Sequence, residues 1–263
     1  MSGPRPSQWA SLPLGPGVSL LTSDGNGLLA FAKPEGVLSH PNESRDQARS
    51  VLQARYSLEG EFYEWVGETG GQPLRIYLLN RLDSGTSGVI LAASSEALAR
   101  EMRAQFKRQC IQKIYYALVF GAPVPPVQVW RDRLAVRKKA GKVRTETAGN
   151  IPAEAKIRAI RIQPGNPPLS LIRLEPRTGR SHQLRVQCAE RHLPIVGDAT
   201  YGDFRLNREF AKASGNKRLF LHSSETHFDY TWAGRSWRFA AHAELPKAFT
   251  DALGGRSPRA PMK

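Results

Sequence analysis

The chain has 263 residues, enough for one large domain or two small ones with a sizeable core. Lysine and arginine number 38 against 23 aspartate and glutamate, which gives a net charge of +15. This excess favours a polyanionic partner, nucleic acid first and an anionic membrane surface second. The sequence has no run of about 18 apolar residues and no charged-then-apolar leader, so we expect neither a membrane-spanning helix nor a signal peptide. Its two cysteines, Cys110 and Cys188, form no CxxC pair, which disfavours a zinc site or a disulfide framework and fits a reducing cytoplasm.

The first part of the chain changes character near residue 27. Proline, glycine and serine dominate residues 1–26 without an apolar period, which predicts a flexible N-terminal arm. Leu28–Ala32 is apolar and typical of a short strand, and a Lys-Pro-Glu-Gly turn follows it. Arg45–Tyr56 is compatible with a short helix. Gly60–Gln72 contains glycine and acidic residues and predicts a loop.

The stretch Leu79–Ala93, LNRLDSGTSGVILAA, carries the interpretation of the whole sequence. Arg81 and Asp83 stand in a short polar run, a turn of small residues follows, and Val89–Ala93 is apolar and strand-like. An acidic side chain on a tight turn before a buried strand is held rigidly, as a reactive carboxylate at a cleft must be. The alternative is that Asp83 only bonds the backbone of its own turn. This stretch alone leaves both interpretations open.

A helix is predicted directly after this stretch. Ser94 or Ser95 can cap its N-terminus, because a serine oxygen accepts bonds from the first free N–H groups of a helix. Leu98, Met102 and Phe106 recur at helical spacing, which indicates one buried face.

Ile111–Phe120, IQKIYYALVF, is rich in β-branched and aromatic residues and predicts a strand. Side chains alternate between the two faces of a strand, so Tyr116 is expected on the core side and Lys113 and Tyr115 on the other. Both tyrosines can also be ordinary sheet aromatics.

Further strands are predicted towards the C-terminus. Arg131–Arg144 is strongly basic and predicts a hairpin or loop that either lies against phosphates or is simply solvated. Ala155–Ile162 and Leu169–Glu175 are strand candidates, antiparallel across a Pro/Gly-rich turn. Phe239–Leu245 predicts a closing strand, and residues 251–263 predict a basic, disordered tail.

A second functional stretch is Arg177–Gln187, RTGRSHQLRVQ, followed by Leu193–Gly202, LPIVGDATYG. Thr-Gly forms a turn, and we expect a helix to start near Ser181. On that helix His182 and Arg185 are three positions apart and share a face. The start of a basic helix can hold an anion through N–H groups and side chains.

Together these stretches resemble the RluA-like family of RNA pseudouridine synthases. RLDSGTSG is similar to the family's RLDxxTSG motif, KPEGVLSHP to KPxGxxxHP, and KIYYALVFG to KxYxAxVxG. The last stretch is similar to RTGRxHQIRVH…PIxGDxxYG. The resemblance covers residues 28–245, and separated motifs in the same order make it specific. We see no N-terminal module of the S4 type.

The resemblance implies both fold and activity. The fold would be α/β (α+β), a mixed, mainly antiparallel sheet with flanking helices and a central RNA-binding cleft, in one catalytic domain over residues 27–250. The activity would be conversion of specific uridines to pseudouridine. The base is flipped out of the RNA stack, the glycosidic bond breaks, and a C–C bond forms. The family needs no cofactor and no metal ion for this reaction.

The resemblance also assigns residues to roles. Asp83 would be the catalytic carboxylate, and Arg185 would form an ion pair with it. Tyr115 would stack on uracil and relay the proton lost from C5. The implied RNA contacts are Arg81, Thr86, Lys113, Arg180, His182, Gln183 and Leu184.

Two other classes of protein stay open from the sequence. One is a catalytically silent RNA-binding or RNA-folding protein on the same scaffold. The other is a glycoside hydrolase with a pair of carboxylates, for which only Glu175 and Asp198 are tempting partners of Asp83. The family resemblance explains both of these acids otherwise, and we expect Asp198 to fix a turn.

The expected partner is ribosomal or transfer RNA, and no membrane. We expect a cytoplasmic monomer without an obligatory protein partner. The chain departs from the family pattern at Asn80 and Gln187, where the family often has histidine. Both amides keep hydrogen-bonding ability but carry no proton charge.

RNA affinity should fall steeply with salt, because every neutralised phosphate releases counterions. We expect a loss of about tenfold or more between roughly 50 and 200 mM salt. Filter binding of a tRNA mixture over that range measures the slope. A flat response would contradict a phosphate-dominated contact.

Overall fold

In the computed structural model the described residues are 9, 11–67, 71–108, 111–139, 142–147 and 149–254, without the side chains of 138, 139, 142 and 143. They form two compact units. The first contains the described residues up to Gln112 together with Glu225–Ala243, and the second contains Lys113–Ser224 with the described residues from Glu244. The expectation of one catalytic domain over 27–250 stays a prediction. None of the helices in the described ranges is long and apolar enough to cross a membrane.

The first unit consists of antiparallel strand pairs and one long helix. Its elements are β1 (Ser19–Ser23), β2 (Leu28–Lys33), a 3-10 helix (Ser44–Arg49), β3 (Arg55–Ser57), β4 (Phe62–Trp65), β5 (Leu74–Leu78), β6 (Ser87–Ala93) and α1 (Glu96–Lys107). They are joined late in the chain by most of β12 (Leu221–Trp232) and by β13 (Arg235–His242).

Strand β6 is the centre of the first unit. It pairs antiparallel with both β2 and β5, and all seven of its residues are buried. Leu91 belongs to one apolar cluster and Ile90 to another, since alternate side chains of a strand face opposite sides. Helix α1 covers one side with Leu98 and Met102, and Ser95 caps it by accepting a hydrogen bond from the N–H of Leu98. The predictions of this strand and of this helix are confirmed.

The second unit is a sheet with three helices. Its elements are β7 (Gln112–Phe120), β8 (Val127–Lys139), β9 (Lys142–Thr147), β10 (Ile151–Gln163), β11 (Leu169–Pro176), α2 (Gln183–Ala189), α3 (Phe204–Ser214) and α4 (Lys247–Ala252). The strand order is β7-β11-β10-β8-β9. The β10–β11, β10–β8, β11–β7 and β8–β9 pairs are all antiparallel, which confirms the predicted mainly antiparallel α+β fold.

Helix α2 packs on one face of this sheet. Leu184 and Cys188 of the helix share an apolar cluster with Trp130, Ile157 and Leu174 of three different strands. Burial raises the pKa of the Cys188 thiol far above its ordinary value, so this cysteine is an inert core residue.

The predicted N-terminal arm is wrong for most of its described part. Residues of β1 pair with β2, and Trp9, Leu12 and Val18 pack in the apolar cluster that contains Leu52. The proline-rich composition obscured these contacts, because their partners lie far away in the sequence. In the predicted C-terminal tail, residues 251–254 complete α4 and its C-terminal turn, and the remaining residues lie outside the described ranges.

Three local predictions need correction. Arg45–Tyr56 contains a 3-10 helix and the start of β3 instead of one helix, and the predicted loop Gly60–Gln72 contains β4. The closing strand is β13, which ends at His242.

The described residues of the basic segment Arg131–Arg144 form the antiparallel pair of β8 and β9, so the hairpin is the alternative that is confirmed.

The packing of the N-terminal segment can be tested at Leu52, which is fully buried and forms a bridge with Leu14. Leu52→Ala should lower the free energy of unfolding by about 2–5 kcal/mol, because it leaves a cavity in this cluster. Urea unfolding measures the change. Leu58→Ala is the matched control, since Leu58 is 63% exposed and should cost less than about 0.5 kcal/mol. Equal losses of the free energy of unfolding in Leu52→Ala and Leu58→Ala would contradict this packing.

Candidate active site

The residues predicted for the site fall in both units. Arg81, Asp83 and Thr86 belong to the first unit. The others belong to the second unit and are Lys113, Tyr115, Arg180, His182, Gln183, Leu184 and Arg185.

Asp83 lies on a hydrogen-bonded turn directly before β6. Its carbonyl accepts a bond from the N–H of Thr86 at 3.0 Å, and its side chain is half-buried. Arg81 is exposed, with its Nη1 3.8 Å from a carboxylate oxygen of Glu61. Thr86 is only 2% exposed, and the RNA contact implied for its side chain stays a prediction. The N–H of Thr86 closes the turn of Asp83, which accounts for the place of Thr86 in the motif.

A buried lysine holds one side of this turn. Lys33, the last residue of β2, donates from Nζ to the carbonyl of Ser84 at 3.0 Å and to two carbonyls of its own turn at 2.7 and 2.9 Å. The N–H of Gly36 also donates to the Ser84 carbonyl, at 2.8 Å. Gly36 has a φ of +80°, which explains why a glycine is needed there. The Lys-Pro-Glu-Gly turn therefore fixes the residue after the predicted catalytic aspartate.

A serine fixes the other side of the aspartate. Ser39 Oγ donates to the carbonyl of Leu82 at 2.7 Å and accepts from its N–H at 2.9 Å. The hydroxyl of Tyr63 donates to the Ser39 carbonyl at 2.8 Å, and burial raises the pKa of that tyrosine well above its ordinary value. Sequence reasoning missed Lys33 and Ser39 as supports, although both lie in the quoted KPxGxxxHP stretch.

In the second unit a buried ion pair dominates. Arg185 donates from Nε and Nη2 to the two carboxylate oxygens of Asp198, both at 2.7 Å. The same carboxylate accepts from the N–H groups of Thr200 and Tyr201 at 2.8 and 3.0 Å. Burial alone would raise the pKa of Asp198, but the Arg185 bonds and charge and the two N–H groups lower it below its ordinary value. Asp198 fixes a turn, as predicted, and is also the partner of Arg185.

Tyr201 joins this pair to the preceding motif. Its hydroxyl accepts from the N–H of Thr145 at 2.8 Å and lies 2.9 Å from Nδ1 of His182. The guanidinium of Arg185 lies 5.1 Å from the centre of the tyrosine ring. Sequence reasoning did not single out Tyr201, and the terminal Tyr-Gly of the quoted motif was its only signal.

The helix of this motif starts two residues later than expected. α2 begins at Gln183, and His182 precedes it in a left-handed conformation with a φ of +54°. His182 and Arg185 therefore do not share a helix face, but both contact Tyr201.

Two predicted RNA contacts of α2 have buried side chains. Leu184 is part of the apolar core. Gln183 is 3% exposed, and its Oε1 accepts from the Thr178 hydroxyl at 2.7 Å and from the N–H of Arg180 at 3.1 Å. These bonds hold the Thr-Gly-Arg turn against the helix. The RNA contacts implied for Gln183 and Leu184 stay predictions, and both side chains are buried in this structure.

Three other predicted residues remain accessible in full or in part. Tyr115 is half-buried, pairs in register with Leu174 and packs against the apolar cluster. Lys113 is also half-buried, and burial lowers the pKa of its ammonium. Its Nζ lies so near Gly179 that a Cβ there would be 3.2 Å away. Arg180 is exposed and donates to the carbonyl of Pro152 at 3.3 Å.

No group of three or more His, Cys, Asp or Glu side chains within the described ranges could hold a metal ion.

Comparisons with known proteins agree with this architecture. Residues 27–190 match the family model described as RNA pseudouridylate synthase. The chain is 33% identical over 234 residues to tRNA pseudouridine synthase C of Yersinia pestis, across 83% of this chain and 84% of that protein. It is 34% identical over 211 residues to ribosomal large subunit pseudouridine synthase C of Vibrio vulnificus, across 80% of this chain and 61% of that protein. The solved structure of human RNA Pseudouridylate Synthase Domain Containing 4 matches with a TM-score of 0.63 at 22% identity, across 90% of this chain and 92% of that chain.

The motifs, the antiparallel fold and the supported acidic turn define an RNA-modifying isomerase. The chain belongs to the RNA pseudouridylate synthase family and is an RNA pseudouridine synthase. The predicted family, fold and class of reaction are confirmed.

The buried pair predicts a pH-dependent loss of stability in Arg185→Ala. At pH 7 the variant should lose about 3–5 kcal/mol, because the Asp198 carboxylate is left buried without its cation. The folded-state pKa of Asp198 is lowered, so the pair stabilises above the unfolded pKa of about 3.9 and its contribution is lost as the pH falls through the folded-state pKa. Urea unfolding of wild type and variant from pH 7 downwards measures the difference between their free energies of unfolding. This difference should become smaller below about pH 4.

Arg238→Ala provides the control for this experiment. Arg238 pairs with Asp229 at 3.0 Å, but both side chains are largely exposed, so the loss should stay below about 1 kcal/mol at every pH. The assigned role of the Asp198 charge would be contradicted if the difference in free energy of unfolding between wild type and Arg185→Ala did not change with pH.

Proposed function

We propose that this enzyme isomerises a uridine of transfer RNA and that Asp83 is its catalytic residue. The substrate class rests on the relatives named tRNA pseudouridine synthase C, which align along most of their length. The observation that supports Asp83 is its turn, whose neighbours on both sides are held by Lys33 and Ser39. A carboxylate that must meet one sugar carbon needs such rigid support.

The proposed reaction uses the carboxylate without any redox change. Asp83 either attacks the sugar C1′, or abstracts a sugar proton to give a glycal intermediate. In the first route the N1–C1′ bond breaks as Asp83 bonds C1′, the uracil turns, and the Asp83–C1′ bond breaks as C5 bonds C1′. In the second route Asp83 takes the C2′ proton as the N1–C1′ bond breaks, the uracil turns, and Asp83 returns the proton to C2′ as C5 bonds C1′. The proton on C5 must then leave, and Tyr115, with water, is the proposed base for it.

The target uridine must first leave its stack. Extruding a base costs a few kcal/mol, which contacts to backbone and base repay. The net charge of +15 supports phosphate binding, and exposed Arg81 and Arg180 are the proposed contacts near the motifs. Half-buried Tyr115 is the proposed stacking partner of the uracil. We also keep Lys113 and His182 as proposed RNA contacts.

Arg185 is proposed to orient the catalytic carboxylate, a role that rests on the resemblance alone. Its guanidinium has five donors, and Asp198 uses two of them. A guanidinium fixed by one carboxylate keeps its plane in one orientation, which suits it to position a second group.

Ribosomal RNA is the second candidate substrate, supported by the relative from Vibrio vulnificus, of which this chain covers 61%. A cytoplasmic location, the monomeric state and the independence of a protein partner stay predictions.

Pseudouridine mapping tests the proposal. Carbodiimide labelling and primer extension on total RNA, from cells with and without the gene, should reveal a site that is lost from transfer RNA. Wild-type protein should restore this site. Asp83→Asn should not restore it, since the amide of asparagine is neutral and cannot act as nucleophile or base, yet it should still bind RNA.

Asp229→Asn is the matched control, because Asp229 is an exposed aspartate of the same unit, and it should restore the site. Loss of a site from ribosomal RNA, and not from transfer RNA, would show that ribosomal RNA is the substrate. Restoration by Asp83→Asn would overturn the catalytic assignment.

A further inference from the structure

A cavity lies in the second unit, beside the loop that carries Asp198. Its volume is about 600 Å³. One wall is the loop on either side of that aspartate, Gly197 and Ala199, and another is helix α3. None of the residue roles assigned above uses this cavity.

The lining is positively charged. Arg208 and Lys212 of α3 and the nearby Lys217 face the cavity, and the lining residues within the described ranges include no carboxylate. Arg208 and Lys212 are four positions apart on α3, and like charges at this spacing repel each other and destabilise a helix. Arg205 on the same helix is paired with an opposite charge instead, since it bonds Glu209 at 2.8 Å. The cavity therefore has the electrostatics of an anion site.

An aromatic side chain stands at the same cavity. Phe204, the first residue of α3, is 59% exposed and lines it. A phenylalanine in water gains by covering its ring. Cationic side chains beside an exposed aromatic ring are the combination with which proteins hold single-stranded nucleic acid, because the ring stacks on a base and the cations follow the backbone.

The cavity is built rigidly. Asp203 caps α3 by accepting from the N–H groups of Arg205 and Leu206, both at 2.9 Å. Asn207 accepts from the N–H of Gly197 at 2.7 Å and donates to the carbonyl of Asp198 at 3.1 Å. These bonds fasten the helix to the loop of the buried ion pair, so that the site is formed before any ligand arrives.

We propose that this cavity binds an unpaired nucleotide of the substrate RNA other than the target uridine. Phe204 stacks on the base, and Arg208 and Lys212 bind its phosphates. The proposal rests on the proposed function, and it adds a second anchor to the substrate beside the Arg185 loop. Such an anchor would help to select RNA whose target uridine has a flexible neighbour.

The test uses fluorescein-labelled (rA)10, which contains no uridine and cannot become product. Fluorescence anisotropy should show that Phe204→Ala weakens binding by about fivefold or more, as expected for the loss of one stacked base. Arg208→Gln should weaken binding and lower the slope of log affinity against log salt by about 0.7. Arg205→Gln is the matched control, with the same charge change on the same helix outside the cavity, and should change affinity less than twofold.

Two results would overturn the proposal. Equal effects of Arg205→Gln and Arg208→Gln would mean a diffuse positive field. Unchanged binding by Phe204→Ala would mean that no base stacks there. Product formation on transfer RNA is measured with the same preparations. If the wild type makes pseudouridine and Phe204→Ala binds (rA)10 normally, the proposed role of the cavity is refuted. The proposed function is then unaffected. A raised KM with unchanged kcat for Phe204→Ala supports the cavity as an anchor.

Discussion

The buried pair of Arg185 and Asp198 is the constraint on which much of the second unit depends. Taking two charges out of water is expensive, and the cost is recovered only when every lone pair finds a donor. Asp198 offsets this cost by accepting four bonds, two from the guanidinium of Arg185 and two from backbone N–H groups. The pair therefore joins α2 to the Asp198 loop, and Asn207 joins that loop to α3. Removing any one of these partners leaves a buried polar group without its bond.

In the first unit, a buried lysine bonds backbone carbonyls beside the turn of Asp83. Lys33 is 2% exposed, and its ammonium is satisfied by three backbone carbonyls. Ser39 binds both the N–H and the carbonyl of Leu82. The residues before and after Asp83 are thus fixed by the side chains of Ser39 and Lys33.

The sequence predicted those features that local spacing determines. Strand β6, helix α1 with its Ser95 cap and the antiparallel pair of β10 and β11 all follow from periodicity and turn residues within short windows. The packing of Trp9 with Leu52 was missed because it joins distant segments. The motif also gave no sign that Gln183 is internal, since glutamine is usually exposed and its bonds to Thr178 and Arg180 appear only in three dimensions.

The departures from the family pattern at Asn80 and Gln187 concern internal hydrogen bonds. Asn80 Oδ1 accepts from the N–H of Leu91 at 2.7 Å and thereby ties the segment before Asp83 to β6. Gln187 is fully buried, and its amide donates to Asp132 at 2.6 Å while its oxygen accepts from Gln183 at 3.2 Å. A neutral histidine could supply one donor or one acceptor at each place, so an amide replaces it without leaving a buried group unpaired. Neither position needs a titrating proton for these bonds. The two changes therefore bear on how the motifs are packed, and the catalytic assignment to Asp83 does not depend on them.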